Sequence, residues 1–436
     1  MLAFTFAQPF KKKNSLIFLY NLFIQLYYLG IRIAALGGGK PEQWLEGRKH
    51  LWAQLEKELH RREPLIWVHS ASAGEFEQAK PVIEGLKKEY PNHKIATTFF
   101  SPSGYSVGAK SKLADYVFYL PLDTAANAKR VISLLAPQLV VFVKYDYWYH
   151  HLKTIHQSGI PLLLVSAIFR ENQTFFKWYG GFYKNMLHFF THLFVQDEPS
   201  KALLVQHGVP YATISGDTRF DRVASIAGNF TEIEGLQQFA AGYKVVVAGS
   251  TWPEDEAALQ KGLETFTDVK LVIAPHEINR EHISAIQKIF PNSITYSSLQ
   301  AQNENVSFSF YNKRVLIIDN IGMLSRLYKY ADVAYIGGGF NKSGIHNTLE
   351  AAVWGKPVVW GPKFQKFREA KGLLSAGGGF SYTTAEDLKG ILDVLLNDGA
   401  ARRKAGNAAT EYVQQHRGAT QKIIAYIQEK RLLTSV

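Results

Sequence analysis

The sequence predicts an α/β protein made of two doubly wound halves behind an apolar amino-terminal helix. Three observations predict it. From Pro64 onward, short β-branched runs alternate with helix-patterned stretches, the pattern of parallel strands covered by helices on both faces. A second such series begins at Lys244, after the weakly patterned stretch Arg222–Gly242. The length of 436 residues also exceeds one core, since domains run roughly 100–200 residues.

Composition narrows the class. With 47% hydrophobic and 20% charged residues the chain is globular, not disordered, collagen-like or multispanning. Lys and Arg number 49 against 37 Asp and Glu, a net charge of +12 that suits an acidic partner: nucleic acid, anionic lipid or a phosphorylated substrate. There is no cysteine, which excludes disulfides, thiolate catalysis and cysteine-ligated zinc.

The first element is Ser15–Leu36, almost wholly apolar until Arg32 and preceded by Lys11-Lys12-Lys13. As a helix rising about 1.5 Å per residue it is long enough for a hydrocarbon layer of roughly 30 Å. Tyr20, Tyr27 and Tyr28 suit a headgroup interface, and Lys40, Arg48 and Lys49 add positive charge beyond it. The expectation is a membrane anchor over residues 1–40, spanning or interfacial, weighed against a cleaved signal peptide and a buried core helix. The first half then reads as strands at Leu65–His69, Lys94–Thr98, Tyr116–Leu120, Leu139–Val143, Leu162–Ser166 and His192–Gln196. Helices are expected at Glu75–Tyr90, Ala125–Leu135 and Glu198–His207. The second half reads as strands at Lys244–Ala248, Lys270–Ala274, Val315–Ile318, Val333–Ile336 and Pro357–Trp360. The joint is expected near Thr213–Asp221 or just after it, and two such halves commonly bind a ligand at the carboxyl ends of their strands.

Chemistry is expected at two strand-to-helix turns. In Trp67-Val68-His69-Ser70-Ala71-Ser72-Ala73-Gly74-Glu75, small residues let a ligand approach the backbone while the following helix offers free N–H groups. Glu75 stands there as a candidate general base, or as a first-turn Glu capping behind Ser72. In Ile336-Gly337-Gly338-Gly339-Phe340 followed by His346-Asn347-Thr348-Leu349-Glu350, a glycine loop leads to a helix expected near His346–Asn347. Glu350 could accept from a ribose diol while the helix end holds phosphate. These glycines fit neither the dinucleotide fingerprint nor the Walker pattern. Ser250 and Thr251, Pro275 and His276, and Ile321-Gly322-Met323 follow other strands of the second half. Lys144, Tyr145 and Asp146 end an apolar strand of the first half, and Arg219 lies near the joint, so Lys144 and Arg219 are cations placed to neutralise an anionic substrate.

Together these residues resemble the 3-deoxy-D-manno-oct-2-ulosonic acid (Kdo) transferases of lipopolysaccharide assembly. The most specific segments are His69–Glu75, Ser101-Pro102-Ser103-Gly104, Gly216-Asp217-Thr218-Arg219-Phe220-Asp221, Gly249-Ser250-Thr251, Gly337-Gly338 and His346–Glu350. The resemblance implies a two-domain GT-B glycosyltransferase of Rossmann-like domains facing a cleft. The acceptor would be held by residues 41–218, with Ser70, Ser72 and Gly74, and CMP-Kdo by residues 219–436. It makes Glu75 the general base, and carries CMP contacts to Pro275, His276, Ile321 to Met323 and Asn347 to Glu350. Ser250, Thr251, Gly338 and His346 complete that donor set. The chain departs from the family where His276 replaces Arg, where Gly322-Met323 replaces Gly-Glu, and where Lys144-Tyr145-Asp146 replaces Glu-Thr-Glu. Arg219 replaces a family lysine and keeps the charge.

The implied reaction is transfer of Kdo from CMP-Kdo to a lipid A precursor, lipid IVA, with inversion at the anomeric carbon. CMP-Kdo enters as donor substrate, and neither a cofactor nor a metal is expected. The expected partners are this donor, the lipid A precursor and an anionic membrane surface, at the cytoplasmic face of the bacterial inner membrane. The rival enzyme is another GT-B transferase or an epimerase using a UDP-sugar. A basic nucleic-acid-binding or scaffold protein is disfavoured, because the cations are dispersed and the strongest signals are glycines, carboxylates and small hydroxyls at strand ends.

Overall fold

The structure, a computed structural model, describes residues 10–59, 63–301 and 312–433, with side chains from Ser15 onward. The side chains of Lys11–Lys13 therefore lie outside the described residues. The chain divides into two compact units, Met1–Arg222 with Gly418–Val436, and Val223–Arg417.

The sheet of the first unit contains β1 (Leu65–Ser70), β2 (Lys94–Phe99), β3 (Tyr116–Tyr119), β4 (Leu139–Val143), β5 (Leu162–Ala167), β6 (His192–Val195) and β7 (Ala212–Ile214). All pairs are parallel, in the order β3-β2-β1-β4-β5-β6-β7. Strands covered on both faces must be apolar at nearly every position, and Leu139–Val143 is buried throughout. Adjacent residues serve opposite faces: Trp67 packs with Phe142 and Leu164 in one core, Val68 with Val141 and Phe76 in the other. Around the sheet run α1 (Phe10–Ala34), α2 (Lys40–Lys49), α3 (Leu51–Glu58), α4 (Ala73–Glu89), α5 (Pro102–Lys110), α6 (Ala125–Leu135), α7 (Tyr149–Gln157), α8 (Gly181–Leu187), α9 (Glu198–Gln206) and α10 (Thr218–Gly228).

The carboxy-terminal helix Ala419–Glu429 belongs to this first unit, which corrects its expected place in a second half spanning 219–436. Ile423, Ile424 and Ile427 complete the core around Phe76 and Val68. A Cβ on Gly85 would stand 3.1 Å from Ile424, so a glycine in α4 is what lets this helix approach. Asp221 caps it, accepting from Gly418 N and Thr420 N at 2.7 Å each. The division between units falls at residue 222, inside α10.

The apolar amino-terminal segment is one helix, α1, with a mean hydropathy of 1.5 over its most apolar stretch. It is not the buried core helix weighed above, because its outer face is exposed while Ile24 on the inner face is 1% exposed. A buried carboxylate holds it. Asp123 accepts from Tyr20 Oη at 2.5 Å, from the backbone N–H of His150 and of His151 at 2.9 Å, and from the His151 ring. Burial works to raise the Asp123 carboxyl, but His151 and these donors outweigh it and hold it below the usual carboxylate range.

The second unit repeats the plan with β8 (Lys244–Thr251), β9 (Val269–Pro275), β10 (Ser293–Thr295), β11 (Val315–Ile317), β12 (Val333–Ile336), β13 (Val358–Trp360) and β14 (Gly379–Ser381). Its order is β10-β11-β9-β8-β12-β13-β14, again parallel. The five strands expected here all form, and the additional β10 and β14 are the two edges.

Removing the Asp123 carboxylate strands the donors that surround it. Asp123→Ala should destabilise the protein by about 3–5 kcal/mol in urea unfolding, and Tyr20→Phe by about 1–2 kcal/mol. Equal, near-zero costs for both variants would remove Asp123 as the tie that holds α1.

Candidate active site

In the first unit the candidate residues gather where β1, β4 and β5 end. Ser70 closes β1, and two residues later Ser72 begins α4 in extended conformation at φ −142°. The Ser72 hydroxyl makes no hydrogen bond to a helix amide; it donates to Glu75 Oε2. The capping alternative for Glu75 is thus not what forms. A serine at the helix start holds the carboxylate of the third helical residue, half-exposed, at the carboxyl end of the sheet. Gly74 is exposed, and a Cβ there would meet only Ser72 Oγ within 4 Å, so space alone does not require glycine. Ser70 Oγ is buried and, among the described residues, lacks a hydrogen-bond partner. Such a hydroxyl marks a position that a ligand or water completes.

Behind this turn a buried relay braces the strand ends. Trp67 Nε1 donates to Thr98 Oγ1 at 2.7 Å, and Thr98 Oγ1 lies 2.8 Å from His69 Nδ1. The threonine hydroxyl can accept from the indole and still donate its one proton to Nδ1, which fits Nε2 as the donor to a carboxylate that can only accept. The imidazole proton then sits on Nε2, facing Asp146 Oδ2 at 2.7 Å. Asp146 also accepts from Trp148 Nε1 at 3.2 Å. In the sequence Asp146 stands out only as a departure from a family pattern; its partner His69 explains the carboxylate.

Lys144 follows β4 with φ +66°, the left-handed region that a lysine enters at a cost. Its amide donates to Val165 O at 3.0 Å, and its ammonium lies 5.6 Å from the Tyr145 ring centre. In the sequence Tyr145 is placed only at the strand end with Lys144 and Asp146 and receives no role. Burial raises its phenol, Arg170 and Arg219 pull it down, and Asp217 and Glu75 push it up. Arg170 was missed as well; its position just past β5 was the available signal.

Arg219 is fixed through Asp217, which accepts from its Nε at 2.8 Å and its backbone N–H at 2.9 Å. Gln78 of α4 donates to the same carboxylate at 3.0 Å, and Thr218 Oγ1 donates to Gln78 O at 2.7 Å. Burial would raise Asp217, but Arg219 and these donors keep it below the usual range. The segment 216–221 therefore locks α4, three residues beyond Glu75, to α10.

In the second unit the glycines are packing requirements first. A Cβ on Gly337 would lie 2.2 Å from Ser250 O, and one on Gly339 2.6 Å from Gly361 Cα. Gly338, at φ +88°, gives its amide to Asp255 Oδ2 at 2.8 Å, so that N–H is already engaged. Thr251 is fully buried with its hydroxyl donated to Glu256 at 2.8 Å, whereas Ser250 is half-buried at φ +55°. Of this pair Ser250 is the one with a reachable side chain.

His276 stacks between Trp252 and His346, with ring centres 4.7 and 4.6 Å away. Burial, then the neighbouring His276, depress His346 to about 4. The helix expected from His346 begins later and is one turn, Leu349–Ala352, because Asn347 bonds locally instead. Asn347 accepts from Leu349 N at 3.2 Å and donates to Glu350 Oε1 at 3.1 Å. Leu349 is fully buried and can offer only backbone, while Thr348 Oγ1 is buried and, among the described residues, unpartnered. Ile321 is 87% exposed, Gly322 has φ +99° and Met323 is buried. Ser250 and Pro275 lie in the last residues of β8 and β9, His276, His346 and Asn347 in loops that follow strands of the same sheet, and Glu350 in the one-turn helix after β12. Among the described residues, no group of three or more His, Asp or Glu is arranged to hold a metal ion.

Two titrations of opposite sign meet in this unit. His346 folds neutral, so its contribution is present above about pH 6.5 and is lost as pH falls towards about 4. Asp255, raised to about 6 chiefly by burial, favours the folded state as pH falls through the same window. His346→Gln should therefore flatten the loss of Tm between about pH 7 and about pH 4.5. A variant with the wild-type loss over that range would clear His346 of the effect.

Residues 45–222 match the family model described as 3-Deoxy-D-manno-octulosonic-acid transferase (kdotransferase). A 3-deoxy-D-manno-octulosonic acid transferase of Haemophilus influenzae is 27% identical over 82% of this chain and 85% of its own length. The enzyme of the same name from Rickettsia typhi is 26% identical over 90% and 84%. Among solved structures, the UDP-GlcNAc 2-epimerase of Neisseria meningitidis has a TM-score of 0.58 at 17% identity, covering 84% of this chain and 100% of that one. MurG of Acinetobacter baumannii has a TM-score of 0.51 at 13% identity, covering 84% and 99%. The structural neighbours speak to the fold and the sequence relatives to the family. Residues 45–222 thus carry a Kdo transferase domain, the chain is similar to Kdo transferases over most of its length, which indicates a glycosyltransferase, and its two seven-stranded parallel sheets share the fold of these GT-B-like neighbours.

Proposed function

We propose that the chain transfers Kdo from CMP-Kdo to a lipid A precursor, lipid IVA, at the cytoplasmic face of the bacterial inner membrane. The observation that carries this reading is the Glu75 carboxylate, held by the Ser72 hydroxyl at the first turn of α4, which follows a strand whose last residue, Ser70, has a buried hydroxyl without a hydrogen-bond partner among the described residues. In this reading Glu75 takes the proton of a sugar hydroxyl on the acceptor. The resulting oxygen attacks the anomeric carbon of Kdo, the bond to the CMP phosphate breaks, and the phosphate leaves with the bonding pair. Ser70, Ser72 and the backbone at Gly74 orient the acceptor, and Tyr145 lines the approach to Glu75. Lys144 and Arg219 offset anionic charge there; Arg219 keeps its orientation through Asp217.

The donor half of the proposal uses the strand-end loops of the second unit. Ser250, the backbone at Pro275 and His276, and the segment Ile321–Met323 would meet the nucleotide, with His346 to Glu350 on its other side. Glu350, whose Oε1 accepts from Asn347, is the candidate for the ribose diol. Gly338 and Thr251 act by shaping the backbone, since the amide of one and the hydroxyl of the other are engaged.

Glu75→Gln keeps the shape of the side chain and removes its basicity. In a transfer assay with CMP-Kdo and a tetraacylated lipid A precursor, read by mass spectrometry, kcat should fall by about 10²–10⁴-fold with KM nearly unchanged. Transfer near the wild-type kcat would exclude Glu75 as the base. For the donor, CMP should raise Tm more than UDP at equal concentration, and a preference for UDP would redirect the reading to a UDP-sugar enzyme.

A further inference from the structure

We propose that the stacked side chains of His276 and His346 bind the phosphate of the donor, and that a nucleoside phosphate held there draws one proton from solvent onto the pair. This rests on the donor reading given above and adds to it a side-chain role and a pH dependence.

Both residues are fixed through their backbones at strand ends of one sheet. The His276 amide donates to Thr251 O at 3.0 Å, and the His346 amide to Gly337 O at 3.1 Å. Trp252 covers one face of His276, with ring planes 24° apart, and His346 covers the other at 34°. A Cβ on Gly338 would stand 3.1 Å from the His346 ring, so the glycine loop seats that imidazole closely. The faces are thus occupied while the edges are not. Among the described residues no group hydrogen-bonds to a ring nitrogen of His276, which is exposed, or of His346, which is half-buried. Two residues on, the buried Thr348 Oγ1 also lacks a partner among them.

Other histidines of the chain show what an imidazole with a structural role receives. His69 faces Asp146 at 2.7 Å, His151 faces Asp123, and His282 faces Glu256 at 3.0 Å. No carboxylate pairs with His276 or His346 among the described residues, and the charged groups on the surrounding elements are engaged or turned to solvent. On the helix after Trp252, Asp255 accepts from Gly338 N, Tyr335 and Trp252 N, Glu256 accepts from Thr251, and Glu254 is exposed. After β9, Glu277 accepts from Asn279 at 3.4 Å, and Arg280 and Glu281 are exposed. After β12, Lys342 is exposed and Glu350 accepts from Asn347; after β13, Lys363 donates to Phe340 O. The anion that suits this stack therefore comes from a ligand.

The chemistry of the pair sets the proton count. Burial and His276 depress His346 to about 4, so it is neutral near pH 7. Two imidazoles with centres 4.6 Å apart repel each other when both are charged, so the pair takes its first proton as a unit. A neutral imidazole has one N–H and one lone pair, and a phosphate oxygen meeting the lone pair is repelled. One added proton turns that nitrogen into a donor and makes the bond charge-assisted, which raises the proton affinity of the pair in the complex. A site that holds a proton more tightly when occupied binds better at low pH, and its affinity falls as pH rises between the free and the bound pKa values.

Calorimetric titration of the full chain with CMP, at about pH 6.5 in buffers of different ionisation enthalpy, counts the protons taken up. Arginine keeps its charge throughout this range, so His276→Arg supplies a cation that does not titrate. Wild type should take up about half a proton more per CMP than this variant, and from about pH 6 to about pH 7.5 its Kd should rise about fivefold more. Comparison at each pH removes the titration of the CMP phosphate itself, and cytidine, which has no phosphate, should bind both proteins with the same pH dependence. Equal uptake by wild type and His276→Arg, with CMP bound by both, would overturn the proposal and leave the donor reading standing. Where His276→Arg fails to fold or to bind, His346→Gln, which leaves a single imidazole, is the reference: its uptake should fall below that of wild type, and unchanged uptake would overturn the proposal. Absence of CMP binding by wild type at every pH would overturn the donor reading and the proposal together.

Discussion

The buried Asp217 carboxylate is the constraint on which the candidate catalytic turn depends. It receives Gln78 from α4 and both the guanidinium and the amide of Arg219, and the next residue, Thr218, returns a bond to the backbone of Gln78. A carboxylate so buried is tolerable only because each of these donors is aimed at it. The consequence is mechanical. The helix that carries Glu75 is clamped one turn beyond it, so the carboxylate projects from a fixed base, with only its own side chain and Ser72 left to adjust. Positioning by a rigid element of this kind suits proton transfer, which needs donor and acceptor within hydrogen-bond reach.

The second unit reaches a comparable end by a different device. Asp255 accepts from Gly338 N, Tyr335 Oη and Trp252 N, joining the loop after β12 to the start of the helix that follows β8. The glycines then let the strand-end backbones close on one another, Gly337 against Ser250 and Gly339 against Gly361. Here the polar hub shapes a floor, and the groups left for a ligand are the imidazole stack and the Asn347–Glu350 pair. The two units thus use their buried carboxylates differently: one fixes the helix that carries Glu75, the other joins the strand-end loops.

The central strands were legible because burial on both faces forces continuous apolar runs, as at Leu139–Val143 and Val333–Ile336. The strands β7, β10 and β14 were not seen: at the sheet edges they are only partly buried and mix polar residues or glycine with apolar ones, whereas β11 and β13, equally short, are buried throughout and read as apolar runs. The carboxy-terminal helix was misassigned because its amphipathic pattern says that it packs, but not on what; Gly85 and Asp221, far away in sequence, decide that. In the candidate sites, motif reading pointed to two turns that follow strands, and both turns form after β1 and β12. It misjudged which atoms remain available at Gly338 and Thr251, since both partners, Asp255 and Glu256, stand elsewhere along the chain. Tyr145 received no role because nothing local reveals that its phenol feels Arg170, Asp217, Arg219 and Glu75.

The return of the carboxy-terminal helix also sets an order of events during synthesis. The second unit is one uninterrupted stretch, whereas the first needs residues from both ends of the chain. As the protein emerges from the ribosome, the sheet of the first unit is made early but keeps an apolar face around Val68, Phe76 and Ile83 uncovered until Ile423, Ile424 and Ile427 arrive. The second unit can close meanwhile. A frameshift or stop shortly before residue 418 would accordingly spare the second unit and leave the half that bears Glu75 open along one flank, exposed to aggregation and proteolysis.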